Sequence, residues 1–198
     1  MAVENEAERT GPIRRRKNDP AGMRARILDT AFALFQDKGY NATSVQHIAA
    51  AAGVTGGALH HHFATKKALG LAVIGERVAA AVEEAWLAPV REAPDARQRI
   101  LSIMASLADQ LDAQGSVRGC PVNNLTLELA FADADYRDQL RELFDRWRQT
   151  IADRLGGNAG DPLATMVISA YSGAMAIAKV EQRGEPLRLC ARELERLL

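Results

Sequence analysis

The sequence predicts an all-α protein of about nine helices, with a three-helix unit followed by a larger helical body. Apolar residues recur at helical spacing in one segment after another, and no stretch shows the alternation typical of strands. Proline and glycine fall between these segments, where helices are expected to end. At 198 residues the chain is long enough for one small domain and a second helical core.

Residues 43–67, TSVQHIAAAAGVTGGALHHHFATKK, predict two short helices joined at Gly53. Thr43 and Ser44 can each cap the first helix, because a side-chain oxygen there accepts from otherwise unpaired backbone N–H groups. Gly53 suits the left-handed turn that ends a helix, and Thr55 offers the cap of the next one. The apolar residues expected to face the core are Val45, Ile48, Ala49, Ala52, Val54, Leu59 and Phe63.

The outward face of the second short helix carries Thr55, Gly56, Gly57, His60 and His61. None of these side chains is large or acidic, so a groove lined by phosphates can accept this surface. Two short helices joined by a glycine also occur as an ordinary helical hairpin. The caps, the glycine, the three consecutive histidines and the lysine pair that follows together favour a DNA-binding helix-turn-helix.

The histidines are a weaker match to a metal site. His60, His61 and His62 are consecutive, so on a helix they point about 100° apart. A zinc site requires ligands at i and i+4 or spread over a loop, with cysteine or carboxylate partners. The sequence has no Cys-x-x-Cys, and His47 is the only other histidine. We therefore expect no metal and no cofactor.

The charges are unevenly distributed, although the formal net charge of the whole chain is zero. Residues 1–67 hold ten Lys and Arg against six Asp and Glu, an excess of four positive charges. Residues 68–198 hold fifteen against nineteen, an excess of four negative charges. A basic N-terminal part on an acidic body is typical of a DNA-binding protein with a separate control domain, but chance scatter gives differences of this size too.

The segment from about Met23 to about Val73 resembles the DNA-binding domain of the tetracycline-repressor (TetR) family of bacterial transcription regulators. The resemblance rests on the run ARILDTAFALFQDKGYNATSVQHIAAAAGVTGGALHHHFATKKALGLAV. It implies a supporting first helix closed at Gly39 and Tyr40, a second helix over 43–52 and a recognition helix over 55–61. The buried stripe of the first helix is then Ile27, Leu28, Ala31, Phe32 and Phe35.

The outward face and the resemblance together give the expected DNA-contact residues. His60 stands where the family commonly has a tyrosine, and Gly56 stands where a longer polar or basic residue is frequent. Gln46 either pairs bidentately with adenine or is simply solvated, and His61, His62 and Lys66 fall on positions that contact phosphate or brace the helix. The expected set is Thr43, Ser44, Gln46, Thr55, Gly56, Gly57, His60, His61, His62 and Lys66.

The first 20 residues are polar and have no apolar stripe, so we expect them to be disordered in the free protein. A basic cluster lies within them at residues 14–17, RRRK. Such a cluster is either a solvated tail or an arm that reaches a minor groove or phosphates beside the main site. We favour the arm, and divide the rest of the chain into a DNA-binding domain over 21–67 and a ligand-binding and dimerisation domain over 68–198.

The C-terminal domain is helical but its pattern is less specific. We expect a fourth helix over about 66–86 with a break at Pro89 and Pro94. Pro121 suits the first turn of a helix, and glycines separate the later helices. These later helices are expected over about 95–113, 121–131, 134–155, 161–182 and 186–198.

The last two helices carry faces suited to helix packing. One has small residues at Gly173, Ala174, Ala176 and Ala178; the other has an apolar stripe at Leu187, Cys190, Ala191, Leu194 and Leu198. The resemblance implies that these helices pack against their copies in a homodimer, although both stripes can instead complete the core of one subunit. A dimer reads a palindrome with half-sites about one helical turn, ~34–36 Å, apart.

The resemblance also implies a ligand pocket among helices four to eight. Residues of suitable type are Met104, Leu107, Cys120, Asn123, Asn124, Leu127, Trp147, Met166, Tyr171 and Met175, and most of these suit an ordinary core equally well. The run GCPVNNL at 119–125 resembles a stretch in one branch of the family, some of whose members sense electrophiles or oxidants. Cys120 beside a helix start is therefore either a reactive thiol of lowered pKa or a buried inert one.

We expect a homodimeric, ligand-responsive transcriptional regulator, and we favour a repressor over an activator. It is expected to bind a palindromic double-stranded DNA operator and to leave it when a small-molecule or electrophile inducer binds. The alternatives are an all-helical enzyme and a helical protein-interaction module. No catalytic set is recognisable, and all histidines lie in the N-terminal domain, so we expect no enzyme. The absence of a secretory segment, the shortness of the apolar run 166–178 and the two cysteines favour the cytoplasm, without a membrane partner.

Overall fold

The computed structural model describes residues 19–157 and 162–198. In these ranges the chain forms nine helices and no strand. The helices are α1 (Pro20–Lys38), α2 (Val45–Ala52), α3 (Gly56–His62), α4 (residues 66–92), α5 (Ala96–Gln114), α6 (Pro121–Leu129), α7 (Ala134–Leu155), α8 (Pro162–Glu181) and α9 (Glu185–Leu194). The arm expected over residues 1–20 lies outside the described residues, except for Asp19 and Pro20, which begin α1.

Helices α1 to α3 form the N-terminal domain. Capping residues mark where these helices begin and end. The Asp19 side chain accepts the Gly22 N–H at 3.0 Å at the start of α1. Gly53, at φ +64°, ends α2 in the left-handed conformation that the sequence predicted. The predicted apolar faces form the core of this domain, although Phe32, Val45 and Val54 are only partly buried.

Helix α4 is longer than predicted and passes through Pro89. It consists of Lys66–Val73, a π-helical turn at Ile74–Val78, Ala79–Val82, a second π-helical turn at Glu83–Leu87, and Ala88–Glu92. The Ala88 N–H bonds to the Glu83 carbonyl, five residues back, so the hydrogen-bond register shifts just before the proline. The prediction of a break at Pro89 was therefore wrong, since the wider turn accommodates a residue without an N–H.

The predicted bounds of the later helices agree with the structure within a few residues. Asp95 and Asp133 cap α5 and α7, accepting from Gln98 N and Asp135 N. Helix α6 ends at Leu129 and α9 at Leu194, both earlier than predicted. Gly160, expected to end α7, and Asp161, expected to begin α8, lie outside the described residues.

The C-terminal core is built around three buried aromatic rings. The centroid of Trp86 on α4 lies 5.3 Å from that of Trp147 on α7 and 4.8 Å from that of Tyr171 on α8. Helix α9 packs on α5 and α8, and α7 packs on α4 and α8. This aromatic cluster (Trp86, Trp147 and Tyr171) therefore joins the three central helices of the body.

Helix α8 is the one helix, in the part of the chain described, that is long and apolar enough to cross a membrane by length and composition. Its most apolar window has a mean hydropathy of 1.5, and 39% of that window is buried in the protein. At 20 residues, α8 is longer than the apolar run 166–178, which by itself is too short to span a bilayer. A core helix of a soluble protein has the same properties, so the observation is weak evidence for a membrane span.

Candidate DNA-binding interface

Three hydroxyl caps fix the starts of the helices around the interface. The Ser44 side chain accepts the His47 N–H at 3.1 Å, the Thr55 side chain accepts the Ala58 N–H at 3.1 Å, and the Thr65 side chain accepts the Ala68 N–H at 3.0 Å. Ser44, rather than Thr43, is thus the cap of α2. These caps satisfy backbone donors that a short helix otherwise leaves unpaired.

Thr43 has no exposed surface, which contradicts its place among the expected DNA contacts. Its hydroxyl donates to the Gly39 carbonyl at 2.7 Å, so the side chain secures the turn between α1 and α2. Both the methyl group and the hydroxyl group of Thr43 are buried inside the domain. Sequence reasoning could not separate this residue from Ser44, because adjacent hydroxyl residues are equally able to cap a helix.

The remaining predicted residues of α2 and α3 form one exposed surface. Leu59 and Phe63 are 1% and 5% exposed and hold α3 against the domain core. A Cβ added at Gly56 or Gly57 would meet nothing within 4 Å, so both glycines face open space. The exposed members are Ser44, Gln46, Thr55, Gly56, Gly57, His60 and His61, and His62 is half-buried beside His61.

Lys66 braces the domain. Its Nζ donates to the Tyr40 carbonyl at 2.7 Å and lies 4.2 Å from the centroid of the Tyr40 ring. Burial lowers the pKa of this lysine, which is consistent with a position partly removed from water. Of the two roles that the resemblance allows at this position, the geometry matches bracing.

The ammonium group of Lys67 is also paired within the protein. Its Nζ lies 2.7 Å from an Asp133 oxygen and 2.8 Å from an Asp135 oxygen, at the start of α7. The hydrogen bonds that Lys67 donates to these carboxylates raise its pKa. The exposed surface of α2 and α3 is consequently built from neutral and imidazole groups. Within the described ranges, no group of three or more His, Cys, Asp or Glu could hold a metal ion.

The N-terminal domain is tied to the body by contacts that the sequence did not indicate. The Glu128 carboxylate accepts the backbone N–H of Tyr40 at 3.0 Å and that of Asn41 at 2.8 Å. The Asn124 side-chain amide donates to Gln36 Oε1 at 2.9 Å. Both connections run from α6 to the end of α1, across 87 or 88 residues of sequence. No local pattern marks such pairs.

The predicted ligand residues divide into an interior group and an exposed group. Met104, Cys120, Trp147, Tyr171 and Met175 are all buried in the body. Leu127 and Met166 are 87% and 47% exposed, so they do not line an interior pocket, and their assignment was wrong. An apolar residue type does not reveal which side of a helix faces inward.

The aromatic cluster contains a buried donor without an acceptor. The indole N–H of Trp147 makes no hydrogen bond within the described residues, whereas that of Trp86 has the neighbouring Tyr171 hydroxyl as its one candidate partner there. Unpaired buried donors are uncommon in proteins and indicate a missing partner such as water or a ligand. Trp86 was not among the predicted ligand residues. Its place beside Trp147 and Tyr171 becomes visible only in the fold, because the three residues lie on different helices.

The two asparagines that stood out in the sequence have different surroundings. Asn123 Nδ2 donates to the Ser172 carbonyl of α8 at 3.3 Å, inside the body. Asn124 lies at the junction with the N-terminal domain and also donates to the Arg118 carbonyl at 2.9 Å. Leu107 is partly buried and lines an open cavity of about 380 Å³ between α4 and α5, away from the aromatic cluster.

Cys120 is 3% exposed, and burial raises the pKa of its thiol, with backbone N–H groups of the α6 start acting in the opposite direction. The lowered pKa considered from its position at a helix start is therefore not found. Burial also raises the pKa of the neighbouring Tyr171 hydroxyl. The desolvation of the thiolate outweighs the helix start because the sulfur has almost no contact with water.

The stripe predicted on α9 lies mostly inside the subunit. Leu187, Ala191 and Leu194 are buried against α5 and α8, and Ala174 and Ala178 of α8 are buried too. The apolar stripe was predicted correctly, but packing inside one subunit is enough to explain why these residues are apolar. The outer face of α8 is different, since it exposes Gly173 and Ala176 together with large apolar side chains at Met166, Ile177 and Val180.

Two parts of the chain match known protein families. Residues 27–73 match the family described as "Bacterial regulatory proteins, tetR family". Residues 96–193 match the family described as "Transcriptional regulator LmrA/YxaF-like, C-terminal domain". The first match runs from α1 into the first part of α4, and the second covers α5 to α9.

Individual relatives cover most of the chain and are named as regulators, not as enzymes. The HTH-type transcriptional repressor DhaR of Mycobacterium sp. (strain GP1) is 29% identical over 182 residues, which covers 83% of this chain and 86% of that protein. An uncharacterized HTH-type transcriptional regulator from the lacX 3′ region of Lactococcus lactis subsp. lactis is 31% identical over 170 residues, covering 79% and 83%. The crystal structure of a TetR transcriptional regulator from Chloroflexus aurantiacus J-10-FL superimposes with a TM-score of 0.77 at 26% identity, covering 89% and 94%. This chain belongs to the TetR family of bacterial transcriptional regulators.

Proposed function

We propose that the protein is a cytoplasmic, homodimeric repressor that binds a palindromic operator and leaves it when a small molecule binds its body. The observation that carries the proposal is the surface of α3, where Gly56, Gly57, His60 and His61 are exposed above the buried anchors Leu59 and Phe63. Side chains this small let the helix enter a major groove closely, and the imidazoles supply donors and acceptors for base edges or phosphates.

The proposed contact set follows from exposure. Ser44, Gln46 and Thr55 stand beside the α3 surface and contact the groove or its phosphates, whereas His62 and Lys66 support the helix from behind. Because Lys66 and Lys67 are both occupied within the protein, much of the salt-dependent affinity must come from other cations. The basic cluster at residues 14–17, which lies outside the described residues, is the proposed source.

The outer face of α8 is the proposed dimer interface. Ile177 and Val180 are 53% and 85% exposed, and Gly173 leaves room for a second helix to approach. Leu189 on α9 and Leu197 just after it are also exposed apolar side chains, at 50% and 56%. Exposed apolar side chains arranged along one helix face mark an interaction surface, and a twofold pairing of α8 and α9 covers it in both subunits.

The inducer is proposed to enter at the aromatic cluster. The unpaired indole N–H of Trp147 favours a ligand that carries a hydrogen-bond acceptor on a flat apolar body. Helices α4 and α7 move apart if a ligand enters here, and both contact Tyr40 of the N-terminal domain, α4 through Lys66 and α7 through Tyr136. A coupling of ~1–3 kcal/mol between the two sites is the usual scale for such linkage.

Selection of bound sequences from random DNA, followed by fluorescence anisotropy on the selected duplex, tests this proposal. Each base-edge contact contributes ~1–3 kcal/mol, so His60→Ala is expected to weaken binding about 5- to 150-fold with the fold intact by circular dichroism. Gln46→Ala, if it reads adenine, changes the preferred sequence, and Gln98→Ala on exposed α5 is the matched control. A folded protein that binds no selected duplex contradicts the proposal.

A further inference from the structure

A second cavity lies between the N-terminal domain and the body, apart from the aromatic cluster. It is an open cavity of about 300 Å³, bordered by the last turn of α1, by α6 and by the end of α8. We call it the junction cavity. Its polar lining consists of Gln36, Asp37, Lys38, Asn124, Glu128 and Lys179.

The acidic side chains of the junction cavity already have partners. An Asp37 oxygen lies 2.7 Å from Arg118 Nε. The Glu128 carboxylate accepts the two backbone N–H groups of Tyr40 and Asn41. The negative charges of this lining are thus neutralised or hydrogen-bonded by the protein itself.

The donors of the junction cavity are not satisfied in the same way. Lys38 Nζ contacts His47 Nε2 at 3.4 Å, and Lys179 Nζ donates to Asn124 Oδ1 at 3.1 Å; neither lysine pairs with a carboxylate in the part of the chain that is described. The Gln36 Nε2 group is buried and has no acceptor there. The cavity therefore combines two ammonium groups that lack an ion pair and one amide donor without a partner, while both carboxylates of its lining are already engaged by Arg118 or by backbone N–H groups.

We propose that the junction cavity binds a small anion with carboxylate or phosphate oxygens. Lys38 and Lys179 supply the charge, and the Gln36 amide donates a hydrogen bond. Lys38 and Gln36 belong to α1, whereas Lys179 belongs to α8, so the anion connects the two domains and stabilises their observed arrangement. Its consequence for operator affinity rests on the proposed function, whereas binding of the anion does not.

Thermal melting of the full chain tests the proposal, with potassium succinate and potassium phosphate as separate probes at constant ionic strength against potassium chloride. A saturable rise in Tm is expected with at least one probe, and the more effective probe identifies carboxylate or phosphate as the favoured group. Lys179→Met is expected to abolish the rise. Arg141→Met removes a positive charge from an exposed site on α7 whose partner is Asp138, and should retain it.

Two results would overturn the proposal: no saturable rise with either probe, or an equal rise in wild type and Lys179→Met, provided that circular dichroism shows the variant folded. Operator binding, measured separately, distinguishes the two proposals. If operator binding is intact and Tm does not respond, the junction cavity is not an anion site. If Tm responds but no duplex is bound, the proposed function fails and the anion site stands.

Discussion

The hydroxyl groups of Tyr40 and Tyr136 lie 2.7 Å apart and form a buried hydrogen bond between the two domains. Their rings meet edge to face at a centroid distance of 5.6 Å. Gly70 on α4 makes this approach possible, because a Cβ there would lie 2.5 Å from the Tyr136 hydroxyl oxygen and 2.9 Å from Tyr40 Cε2. The pair joins the turn after α1 to the start of α7.

Removing either hydroxyl should destabilise the protein, and Tyr136→Phe should cost more, because it leaves the Tyr40 hydroxyl buried without its partner, whereas the Tyr136 hydroxyl still has the Lys67 carbonyl at 3.3 Å. We expect Tyr40→Phe and Tyr136→Phe each to lower the free energy of unfolding by about 1–3 kcal/mol. In the double variant the two losses should not add, since one interaction is removed by both. Urea unfolding of all four proteins measures this, and strictly additive losses would show that the hydroxyls do not stabilise each other.

Acid should weaken the contact between Lys67 and Asp133. Hydrogen bonding to Lys67 holds the pKa of Asp133 below its usual range. A carboxyl with a depressed folded pKa stabilises the fold above its unfolded pKa, about 3.9, and this stabilisation is lost as pH falls through the folded value. Asp133→Asn, which can still cap α7, should therefore lose less stability than wild type between neutral and acid pH.

The effect of Asp133→Asn should be small because the pair is exposed. Glu76→Gln is a matched comparison, since the Arg24 guanidinium likewise lowers the pKa of Glu76 in a pair within the N-terminal half. Urea midpoints at several pH values give the comparison. If Asp133→Asn and wild type have parallel pH profiles, the ion pair contributes nothing measurable to stability.

Two glycines near the interface should respond in opposite ways to alanine. Gly57 faces open space in α3, so Gly57→Ala should stabilise the N-terminal domain by up to ~1 kcal/mol through helix propensity. Gly53 has φ +64°, so Gly53→Ala should cost roughly 1–2 kcal/mol of backbone strain. If α3 faces DNA, Gly57→Ala should also weaken operator binding while Tm rises; unchanged affinity would place Gly57 away from the groove.

Local chemistry made the helix ends around the candidate interface predictable from the sequence. Ser44, Gly53 and Thr55 set the helix ends through interactions with residues at most four positions away, which a linear pattern records. The buried anchors Leu59 and Phe63 are likewise four positions apart. In contrast, the Tyr40–Tyr136 pair spans 96 residues, and nothing in either neighbourhood indicates the other.

The C-terminal domain shows a different limit of sequence reasoning. Helical spacing revealed that α9 is amphipathic, but Leu187 and Leu194 would show the same spacing whether they faced their own core or a partner. Leu127 and Met166 have the residue type of pocket walls yet lie on outer faces. The π-helical turn before Pro89 depends on how α4 packs against the body, so the proline alone could not predict it.

A charge on the outer face of α8 should separate the subunits if this face forms the dimer. Ile177→Glu places a carboxylate where a 53% exposed apolar side chain now stands, and burying it in an interface is costly. We expect a monomer with weakened operator binding. Ala105→Glu, on an exposed position of α5, should leave both properties unchanged. Analytical ultracentrifugation decides the question, and a dimeric Ile177→Glu would exclude this face.

The thiol of Cys120 should be protected in the folded protein. The thiolate is the reactive form, and burial both raises the pKa of Cys120 and blocks access to its sulfur. We expect iodoacetamide at neutral pH to modify Cys120 much more slowly in the native protein than in urea, as measured by mass spectrometry. Cys120→Ser should then leave electrophile-treated protein bound to its operator to the same extent as wild type. Rapid native modification with release of the operator, abolished by Cys120→Ser, would instead identify Cys120 as an electrophile sensor.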